Sequence, residues 1–405
     1  MKYHKKHKNF FKNIDLVILA GGKGTRIKKY LQGLPKPMLK FNGKHFLNYI
    51  INLTTKYNFN TIYILTGYKS DIIYRKFHNK TFNFVKVKCV KEKNEMGTAG
   101  ALHLIKKKIN DFILLNGDTL FDIDYLKLIN SIKKNNYGSM SLVANKKQKS
   151  IKLNSLTLTN NFVKYSGNGH LMNGGVYFFK KKFLNLISNK KCSLENDILP
   201  TLIKNKKING IVFDNFFIDI GTESYLKKAS IELIKNFERP AVFLDRDGVI
   251  NYDYGYVHTL KKFRFKKNVI NGLRYLTDNN YYIFIITNQA GIGKKIFSLE
   301  KFVNLHKKLK EIFINEKIYI NNVLFSPYHI NAKISKYKKN SQFRKPGNLM
   351  VKGILKNWDI LLKKSFMIGD KISDQICATK SNLYFEFVKD NFSSQIKSIL
   401  KKKHY

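Results

Sequence analysis

The stretch AVFLDRDGVIN, residues 241–251, has the form of an apolar strand that ends in two carboxylates. Asp245 and Asp247 are two residues apart, so in an extended backbone their side chains share a face, and Gly248 lets the chain turn directly after them. Such a strand typically opens a domain, yet this one begins past the middle of a 405-residue chain. One hydrophobic core rarely organises so long a chain, so the sequence predicts two domains.

The composition indicates a globular protein, with 43% hydrophobic and 14% aromatic residues. A formal net charge of +48, from 75 Lys and Arg against 27 Asp and Glu, raises nucleic acid or an anionic membrane as a partner. However, the lysines are scattered through every predicted helix and loop, and no nucleic-acid-binding module is visible. We therefore interpret the charge as compositional drift and expect small-molecule substrates, with no nucleic acid and no membrane as partner.

The cysteines and the N-terminal segment indicate the cellular compartment of the protein. Cys89, Cys192 and Cys377 lie far apart and form no CxxC pair, which favours neither a disulfide framework nor a thiolate metal site. Residues 1–13 are basic but lack an apolar stretch of signal-peptide length, and no run approaches the roughly 18 apolar residues of a membrane span. The expected location is cytoplasmic.

The first half of the chain has a βαβ rhythm. An apolar strand at 14–20 is followed by the glycine loop GGKGTR and then by a segment of helical spacing at 46–53. Further apolar runs alternate with helical stretches near 70–78 and 98–108; these runs are TIYILT (61–66), FVKVKCV (84–90) and DFILLN (111–116). The pattern predicts a sheet flanked by helices, with a site at the carboxyl ends of its strands.

Gly21, Gly22 and Gly24 make the glycine loop a candidate phosphate-binding loop. Without Cβ atoms, the backbone there can bring its N–H groups against a polyphosphate. The loop matches neither the dinucleotide GxGxxG nor the P-loop pattern, and a glycine-rich turn between strand and helix is often only a turn. The loop alone leaves both interpretations open.

Seven short blocks, in order over residues 14–235, resemble the sugar 1-phosphate nucleotidyltransferases. Within that family they are most similar to the guanylyltransferases acting on D-glycero-α-D-manno-heptose 1-phosphate. The blocks are LAGGKGTR (19–26), LPKPMLKF (34–41), GTAGAL (97–102), NGDTLFDID (116–124), NGGVYFF (173–179), SLENDILP (193–200) and FIDIGT (217–222).

The resemblance implies that a sugar phosphate oxygen attacks the α-phosphorus of an NTP, with GTP the expected donor, and that pyrophosphate leaves. Gly21, Gly22, Gly24 and Arg26 would then hold the triphosphate, and Lys36 would reach the phosphates. Asp118 and Asp219 would hold Mg²⁺. Asp118 could instead be the N-cap of a following helix, whereas Asp219, between Ile218 and Ile220, is costly in an apolar strand unless paired or metal-bound.

The resemblance also places the substrates. Residues 97–100, with Gly97 and Thr98 among them, would approach the base, and Asn173, Gly174 and Glu195 the sugar. One departure concerns the stretch FVKYS (162–166), where relatives commonly carry a Glu-Lys pair and this chain has Lys164 and Tyr165. The contact to the sugar phosphate would then come from Lys164 in a shifted register, or from another residue.

The DxDG pattern of the second half resembles the haloacid dehalogenase superfamily of phosphatases. In that superfamily the first Asp, here Asp245, attacks phosphorus, and the second, here Asp247, serves as acid and base. Three further blocks follow in order: FIITNQAG (284–291), FRKPG (343–347) and MIGDKISD (367–374). They imply that Thr287 and Asn288 donate to phosphoryl oxygens, that Lys345 beside Arg344 neutralises charge, and that Asp370, next to Lys371, binds Mg²⁺ with Asp245 and the backbone carbonyl of Asp247.

GYVHTLKKFRF (255–265) is similar to an insertion of the D-glycero-D-manno-heptose 1,7-bisphosphate 7-phosphatases, whose domain has almost no cap. Many of these enzymes carry a Cys/His zinc loop before the RKP block. Here the loop SPYHINAKISKYKKNSQF (326–343) contains His329 and no cysteine, so four zinc ligands cannot be assembled. We expect no structural zinc and interpret His329 as a loop residue.

The sequence thus predicts an α/β protein of two Rossmann-like domains, a nucleotidyltransferase domain with a mixed sheet (1–236) and a phosphatase domain with a minimal cap (237–405). Each would use Mg²⁺. The predicted phosphatase product, heptose 1-phosphate, is the acceptor of the predicted transferase, so two consecutive steps are fused. Two alternatives remain: the same chemistries on another sugar phosphate, for example mannose 1-phosphate, or a nucleic-acid-binding protein built on degenerate enzyme folds. The oligomeric state is left open.

Overall fold

The computed structural model describes residues 11, 13–144 and 155–402, so most of the basic N-terminal segment lies outside the described residues. The described chain divides into two units. One comprises Phe59–Glu232 with the described residues up to Leu53, and the other runs from Leu233 onward and includes Thr54–Asn58. Among the described residues, no helix has the length and apolar character needed to span a bilayer.

The first unit is built on a mixed ten-stranded sheet. Its strands, with those of two small two-stranded sheets, are β1 (Ile14–Ala20), β2 (Lys40–Phe41), β3 (Lys44–His45), β4 (Thr61–Thr66), β5 (Thr81–Phe82), β6 (Val85–Lys91), β7 (Asp111–Asn116), β8 (Thr119–Phe121), β9 (Gly138–Ala144), β10 (Leu156–Thr159), β11 (Phe162–Tyr165), β12 (Leu171–Phe179), β13 (Ile208–Phe213) and β14 (Phe217–Asp219). The large sheet has the order β10-β11-β13-β9-β12-β7-β1-β4-β6-β5. The neighbouring strands β7, β1, β4 and β6 are parallel, so their carboxyl ends share one edge.

The helices of this unit are α1 (Phe46–Thr54), α2 (Ser70–Phe77), α3 (Gly97–Gly100), α4 (Tyr125–Asn130), α5 (Leu199–Lys204) and α6 (Glu223–Phe237), the last of which runs into the second unit. The segment with predicted helical character at 98–108 is α3 followed by a 3-10 helix, Ala101–Ile105. Apolar residues of the central strands, among them Val17, Leu114 and Tyr177, form a core with this segment.

The second unit contains a five-stranded, fully parallel sheet of order β17-β16-β15-β18-β19. Its strands are β15 (Ala241–Leu244), β16 (Tyr282–Asn288), β17 (Ile320–Ser326), β18 (Phe366–Gly369) and β19 (Tyr384–Phe387). Its helices are α7 (Val269–Asp278), α8 (Ala290–Gly293), α9 (Leu299–Asn315), α10 (Leu349–Asn357), α11 (Ile372–Thr379) and α12 (Phe392–Lys402). The α/β class predicted from the sequence is confirmed.

The central position of β15 in the sheet explains why its sequence is a continuous apolar run. All four of its residues are buried, because it lies between β16 and β18 and is covered on both faces. Phe243 and Phe284 pack in the core beneath it with Trp358. Between β15 and α7, residues 245–268 form a loop with a single 3-10 turn at Leu260–Lys262.

Candidate active sites

A cleft of about 450 Å³ opens at the shared carboxyl edge of β7, β1, β4 and β6. Nine of the residues predicted for the first site line it: Gly21, Gly22, Arg26, Lys36, Gly97, Thr98, Asp118, Glu195 and Asp219. Gly24, Asn173 and Gly174 are not among its lining residues. The structure therefore brings together the predicted metal residues and, apart from Gly24, the predicted triphosphate residues. Only one of the three predicted sugar residues joins them.

Asp118 and Asp219 are brought together by the short β8–β14 pair, in which Asp219 lies opposite Thr119 and the Ile220 N–H donates to the Asp118 carbonyl (2.9 Å). Lys36 Nζ lies 2.6 Å from Asp118 Oδ2. Burial, and then the charge of Asp118, raises the pKa of Asp219, while Lys36 and Arg26 oppose the increase. Each of these two carboxylates disfavours the negative charge of the other. A divalent cation that prefers oxygen ligands would relieve that repulsion, so the pair suits such an ion.

The alternative that Asp118 caps a helix is wrong. The N-cap of α4 is Asp124, whose side chain accepts a hydrogen bond from the Leu126 N–H at 2.9 Å. Asp118 instead lies between β7 and β8, with its side chain at the cleft.

The three loop glycines have different surroundings. Gly24 has a φ of 65° and directly precedes the 3-10 helix Thr25–Tyr30 that carries Arg26, so it shapes the loop and does not line the cleft. A Cβ on Gly21 would lie 2.5 Å from Glu92 Oε1, whereas one on Gly22 would meet nothing within 4 Å. Gly22 is thus the position at which the backbone is open to a ligand.

On the opposite wall, Thr98 and Glu195 are joined. Thr98 Oγ1 donates to Glu195 Oε2 and accepts from the Leu194 N–H, both at 2.7 Å. Gly97, with a φ of 74°, packs so closely on Cys192 that a Cβ would lie 2.5 Å from its carbonyl oxygen. Asn173 Nδ2 donates to the Tyr177 hydroxyl (2.5 Å), and Gly174 packs against Ser141 and Phe121. Both residues are therefore occupied within the protein.

A second cavity, of about 540 Å³, opens at the carboxyl edge of the parallel sheet in the other unit. It is lined by Asp245, Asp247, Thr287, Asn288, Arg344, Lys345 and Lys371, all predicted from the sequence. Asp370, directly after β18, is not among the lining residues but contributes a carboxylate to a three-carboxylate cluster described below.

Asp245 and Asp374 both form an ion pair with the buried Lys345, and Asp374 was not identified from the sequence. Lys345 Nζ lies 2.8 Å from Asp245 Oδ1 and 2.6 Å from Asp374 Oδ1. Burial raises the pKa of Asp245 to about 7, with Lys345 opposing the increase. Burial lowers the pKa of Lys345, but the two carboxylates outweigh it and the net direction is upward. The ammonium group of Lys345 is thus held beside Asp245, the predicted nucleophile.

Carboxylate oxygens of Asp245, Asp370 and Asp374 all lie within 4.8 Å of one another. Asp370 Oδ1 is buried without a hydrogen-bond partner, and burial raises the pKa of Asp370, with Lys371 opposing. An unpaired buried oxygen in a three-carboxylate cluster fits a divalent cation with oxygen ligands. The signal for Asp374 was its position four residues after Asp370, in the first turn of α11.

The Asp247 carboxylate is surrounded by donors. Arg246 Nη2 lies 2.9 and 2.8 Å from its two oxygens, Asn251 Nδ2 3.0 Å from Oδ1, and Gln289 Nε2 2.8 Å from Oδ2. Gln289 Nε2 also donates to Thr287 Oγ1 (2.9 Å). None of these donors was identified from the sequence. Arg246 and Gln289 each lie beside a residue with a more obvious role, and Asn251 lies outside the DxDG pattern.

Two residues of the second site differ from expectation. Asn288 uses both ends of its amide on the main chain of Lys345, donating to the carbonyl oxygen (3.0 Å) and accepting from the N–H (3.1 Å). In this structure it therefore positions the Lys345 loop. His329, interpreted as a loop residue, lies in a loop but also lines the cavity with Lys294 and Arg344. Burial, followed by the charges of those two residues, lowers the pKa of His329.

Comparison with known proteins finds a match for each half of the chain. Residues 16–236 match the nucleotidyl transferase family, and residues 249–400 match the family described as polynucleotide kinase 3 phosphatase. The chain belongs to the nucleotidyl transferase family. A D-glycero-alpha-D-manno-heptose 1-phosphate guanylyltransferase of Campylobacter jejuni is 33% identical over 218 residues, covering 51% of this chain and 95% of that protein.

The second half of this nucleotidyl transferase family member has relatives of its own. A D-glycero-beta-D-manno-heptose-1,7-bisphosphate 7-phosphatase of Rhodopseudomonas palustris is 35% identical over 163 residues, covering 40% of this chain and 91% of that protein. That part of the chain therefore belongs to the family of these phosphatases. A crystal structure of HddC from Yersinia pseudotuberculosis is 30% identical, with a TM-score of 0.46, and covers 54% of this chain and 99% of that one.

The nucleotidyl transferase cleft also contains residues that the sequence blocks did not identify: Lys23, Glu92, Glu95 and Asn116. Burial raises the pKa of Glu92, which accepts a hydrogen bond from the Met96 N–H (3.1 Å). Lys23 Nζ lies 2.9 Å from Glu95 Oε2. Lys23 and Asn116 had local signals, since Lys23 lies within the glycine loop and Asn116 directly precedes Gly117 and Asp118 at a strand end.

Proposed function

We propose that the chain is a bifunctional enzyme of nucleotide-sugar synthesis. Its second unit removes the 7-phosphate of D-glycero-D-manno-heptose 1,7-bisphosphate, and its first unit transfers GMP from GTP to the resulting heptose 1-phosphate. The observation that supports this most directly is the presence of two separate carboxylate centres, each beside a buried lysine, at the carboxyl edges of two sheets. The substrates are those named for the relatives of each half.

In the phosphatase reaction, an Asp245 oxygen attacks phosphorus, and Asp247 gives a proton to the departing sugar oxygen. Water then attacks the aspartyl phosphate while Asp247 takes back a proton. Thr287 donates to the phosphoryl oxygens, Arg344 and Lys371 add positive charge, and Lys345 holds Asp245 in place. Asp245, Asp370, Asp374 and the backbone carbonyl of Asp247 would hold Mg²⁺, which neutralises phosphoryl charge when bound.

In the transferase reaction, an oxygen of the sugar 1-phosphate attacks the α-phosphorus, and the bond to the pyrophosphate oxygen breaks. Little covalent help is needed, so catalysis consists of positioning and charge neutralisation. Gly21 and Gly22 present backbone to the triphosphate, and Arg26 and Lys36 neutralise it. Asp118 and Asp219 would hold Mg²⁺, which supplies further charge at the α-phosphate.

A second candidate keeps both chemistries but changes the sugar. Asn173 and Gly174 do not line the cleft, and Lys164 stands where relatives commonly carry Glu. The sugar end is therefore less defined than the nucleotide end, and mannose 1-phosphate is the alternative acceptor.

The test is a panel assay in which phosphate and pyrophosphate release are measured separately. Both anomers of the bisphosphate are needed, because the phosphatase relative is named for the β form and the guanylyltransferase relative for the α form. We expect phosphate release from a heptose bisphosphate, and pyrophosphate release with GTP in preference to ATP, CTP or UTP. Activity on mannose 1-phosphate alone would favour the second candidate.

Two substitutions separate the centres within one chain. Asp245→Asn removes the nucleophile, so we expect phosphate release to be lost and nucleotidyl transfer to persist. Asp118→Asn should have the reverse effect. Asp278→Asn, at the exposed end of α7, is the matched control and should change neither activity. If either active-site variant lost both activities while its melting temperature was unchanged, the proposal of two independent centres would be wrong.

A further inference from the structure

Arg246 lies between the two aspartates of the DxDG pattern, yet its side chain points away from the cavity. It is fully buried, with no exposed surface, and is the largest such side chain among the described residues. An arginine is almost never fully buried unless its charge is paired. What it contacts should therefore explain why the chain has an arginine there.

The guanidinium joins the Asp247 carboxylate to two other elements. Nε donates to Asp247 Oδ1 at 3.2 Å and Nη2 to both carboxylate oxygens, while Nη2 also donates to the Val257 carbonyl at 2.7 Å. On its other side, Nη1 lies 3.3 Å from His306 Nε2, a nitrogen of α9, and the guanidinium carbon lies 5.6 Å from the Phe302 ring centroid. One side chain thus connects the catalytic turn, the loop after it and α9.

The neighbouring His306 carries no charge that would pair with or repel the Arg246 guanidinium. Burial, and then the charge of Arg246, lowers the pKa of His306 far below its ordinary value, so the imidazole is neutral. Its Nε2 then accepts from Arg246, which places the imidazole proton on Nδ1. The ion pair of Arg246 is with Asp247 alone among the contacts described.

Stability is a weak reason for such an ion pair. Desolvating two charges offsets much of their attraction, and an apolar side chain of similar volume often serves as well. What an arginine provides, and an apolar residue does not, is a planar fork that fixes a carboxylate in one orientation. Asn251 and Gln289 bond to the same carboxylate from the chain after it and from the end of β16, so it is held by three separate residues.

We propose that Arg246 is a positioning residue which, with Asn251 and Gln289, fixes the Asp247 carboxyl group for proton transfer in the phosphatase reaction. The inference rests on the proposed phosphatase function and adds to it the residues that act through Asp247. Arg246 itself touches neither substrate nor the reacting atoms.

The consequence is specific to the leaving group. When an alkyl phosphate reacts, the Asp245 oxygen forms a bond to phosphorus, the phosphorus–oxygen bond of the ester breaks, and the alkoxide oxygen takes the proton of Asp247. When a 4-nitrophenyl ester reacts, the leaving phenolate is stable without a proton, so this step no longer needs Asp247. After an alkyl ester has reacted, Asp247 is already deprotonated; after the 4-nitrophenyl ester has reacted, Asp247 first loses its proton to solvent. Water then attacks the aspartyl phosphate and gives a proton to Asp247, and phosphate and the Asp245 carboxylate are released.

The experiment compares wild type with Arg246→Lys and Gln289→Leu in single-turnover and steady-state assays on heptose bisphosphate and 4-nitrophenyl phosphate. For Arg246→Lys we expect the sugar substrate to react about 100-fold more slowly, which is the lower end of the usual acid–base contribution. The first turnover of 4-nitrophenyl phosphate should stay within about threefold of wild type, followed by a slow steady state, because only the hydrolytic step needs the base. Gln289→Leu should show the same pattern with a smaller loss.

Arg274→Lys is the matched control, since Arg274 forms a partly exposed ion pair with Glu316 on the same unit, and it should behave as wild type. The melting temperature of every variant reports whether the second unit is folded, and nucleotidyl transfer reports on the first unit. An equal loss of the first-turnover rate on both substrates, or no loss of that rate on either, would overturn the inference. If wild type hydrolyses 4-nitrophenyl phosphate but no heptose bisphosphate, the proposed substrate is wrong, and the same comparison is made with the alkyl phosphate that the panel identifies.

Discussion

At Gly248 the backbone turns with a φ of 86°, directly after the two aspartates. A Cβ at this position would lie 2.3 Å from Asp370 Oδ2, so the residue meets two separate constraints. The left-handed conformation disfavours any other residue, and the close approach lets β15 and β18 bring Asp247 and Asp370 to one small site.

We therefore expect Gly248→Ala to abolish phosphate release as well as to destabilise the protein. The matched control is Gly43→Ala, since Gly43 has a φ of 75° but a Cβ added there would meet no atom within 4 Å. Both variants should lose about 1–3 kcal/mol of unfolding free energy from backbone strain, measured by chemical denaturation. Only Gly248→Ala should lose phosphatase activity, and equal activities in the two variants would contradict the steric argument.

The raised pKa of Asp245 leads to a second prediction at this scale. A metal ion binds the deprotonated carboxylate, so below a pKa of about 7 the ion must displace a proton. We expect the affinity of the second site for Mg²⁺ to rise between about pH 6 and about pH 8, with proton release on binding at the lower pH. Isothermal titration of Asp118→Asn in buffers of different ionisation enthalpy would measure this. A proton count of zero at the lower pH would show that Asp245 is already ionised in the free protein.

Residues were predictable from sequence where a polar side chain ends an apolar run. Asp118, Asp245 and Asp370 each follow a buried strand, and the sequence identified all three. Glu92 and Arg246 gave no such signal. Glu92 reaches the cleft because β6 lies beside β4, and Arg246 is buried because α9 packs against it. Local sequence spacing predicts neither of these contacts between elements.

At the scale of elements, the loop between β17 and α10 is held by hydrogen bonds and ring contacts. The N–H groups of Lys333 and Ile334 both donate to the Gly293 carbonyl (2.9 and 3.0 Å), and the His329 N–H donates to the Tyr337 carbonyl (3.1 Å). The Tyr328 and Tyr337 rings meet edge to face at 5.7 Å. These contacts connect the loop to α8 and to itself, as a zinc ion would.

We expect this loop to keep its structure without zinc. Because His329 is the only Cys or His in residues 326–343, a zinc-selective chelator should leave the melting temperature unchanged in excess Mg²⁺. Metal analysis of the purified protein should find far less than one zinc per chain. Stoichiometric zinc, or a melting temperature lowered by the chelator and restored by zinc, would contradict the prediction.

Element boundaries were predictable where pairing is local or the strand is fully apolar. β1, β4 and β7 have the limits that their sequences predict, and β6 is shifted by one residue at each end. The pair β8–β14 was not predictable, because each strand has three residues and the two are nearly 100 positions apart along the chain. That non-local pairing holds Asp118 beside Asp219 at the cleft, whereas Asp124 caps α4.

At the scale of the whole molecule, the formal net charge of +48 is its most unusual property. Every substrate proposed for it is a phosphate anion, and a positive field raises the rate at which anions arrive. The field is screened by salt, with a Debye length of about 30 Å at 0.01 M and about 8 Å at 0.15 M ionic strength. The positive charge can therefore have arisen by compositional drift and still attract anionic substrates. Varying the ionic strength measures that attraction.

We expect kcat/KM of both reactions to fall about tenfold as ionic strength rises from about 0.01 to about 0.15 M, the lower end of measured steering effects. The turnover number should stay nearly constant, because the groups that perform the chemistry lie close to their substrates and are screened little. The bisphosphate carries more charge than 4-nitrophenyl phosphate, so its kcat/KM should fall more steeply. Sucrose at matched viscosity is the control for diffusion. If kcat fell as much as kcat/KM, the salt would be acting at the catalytic centres themselves, and long-range attraction would not be the cause.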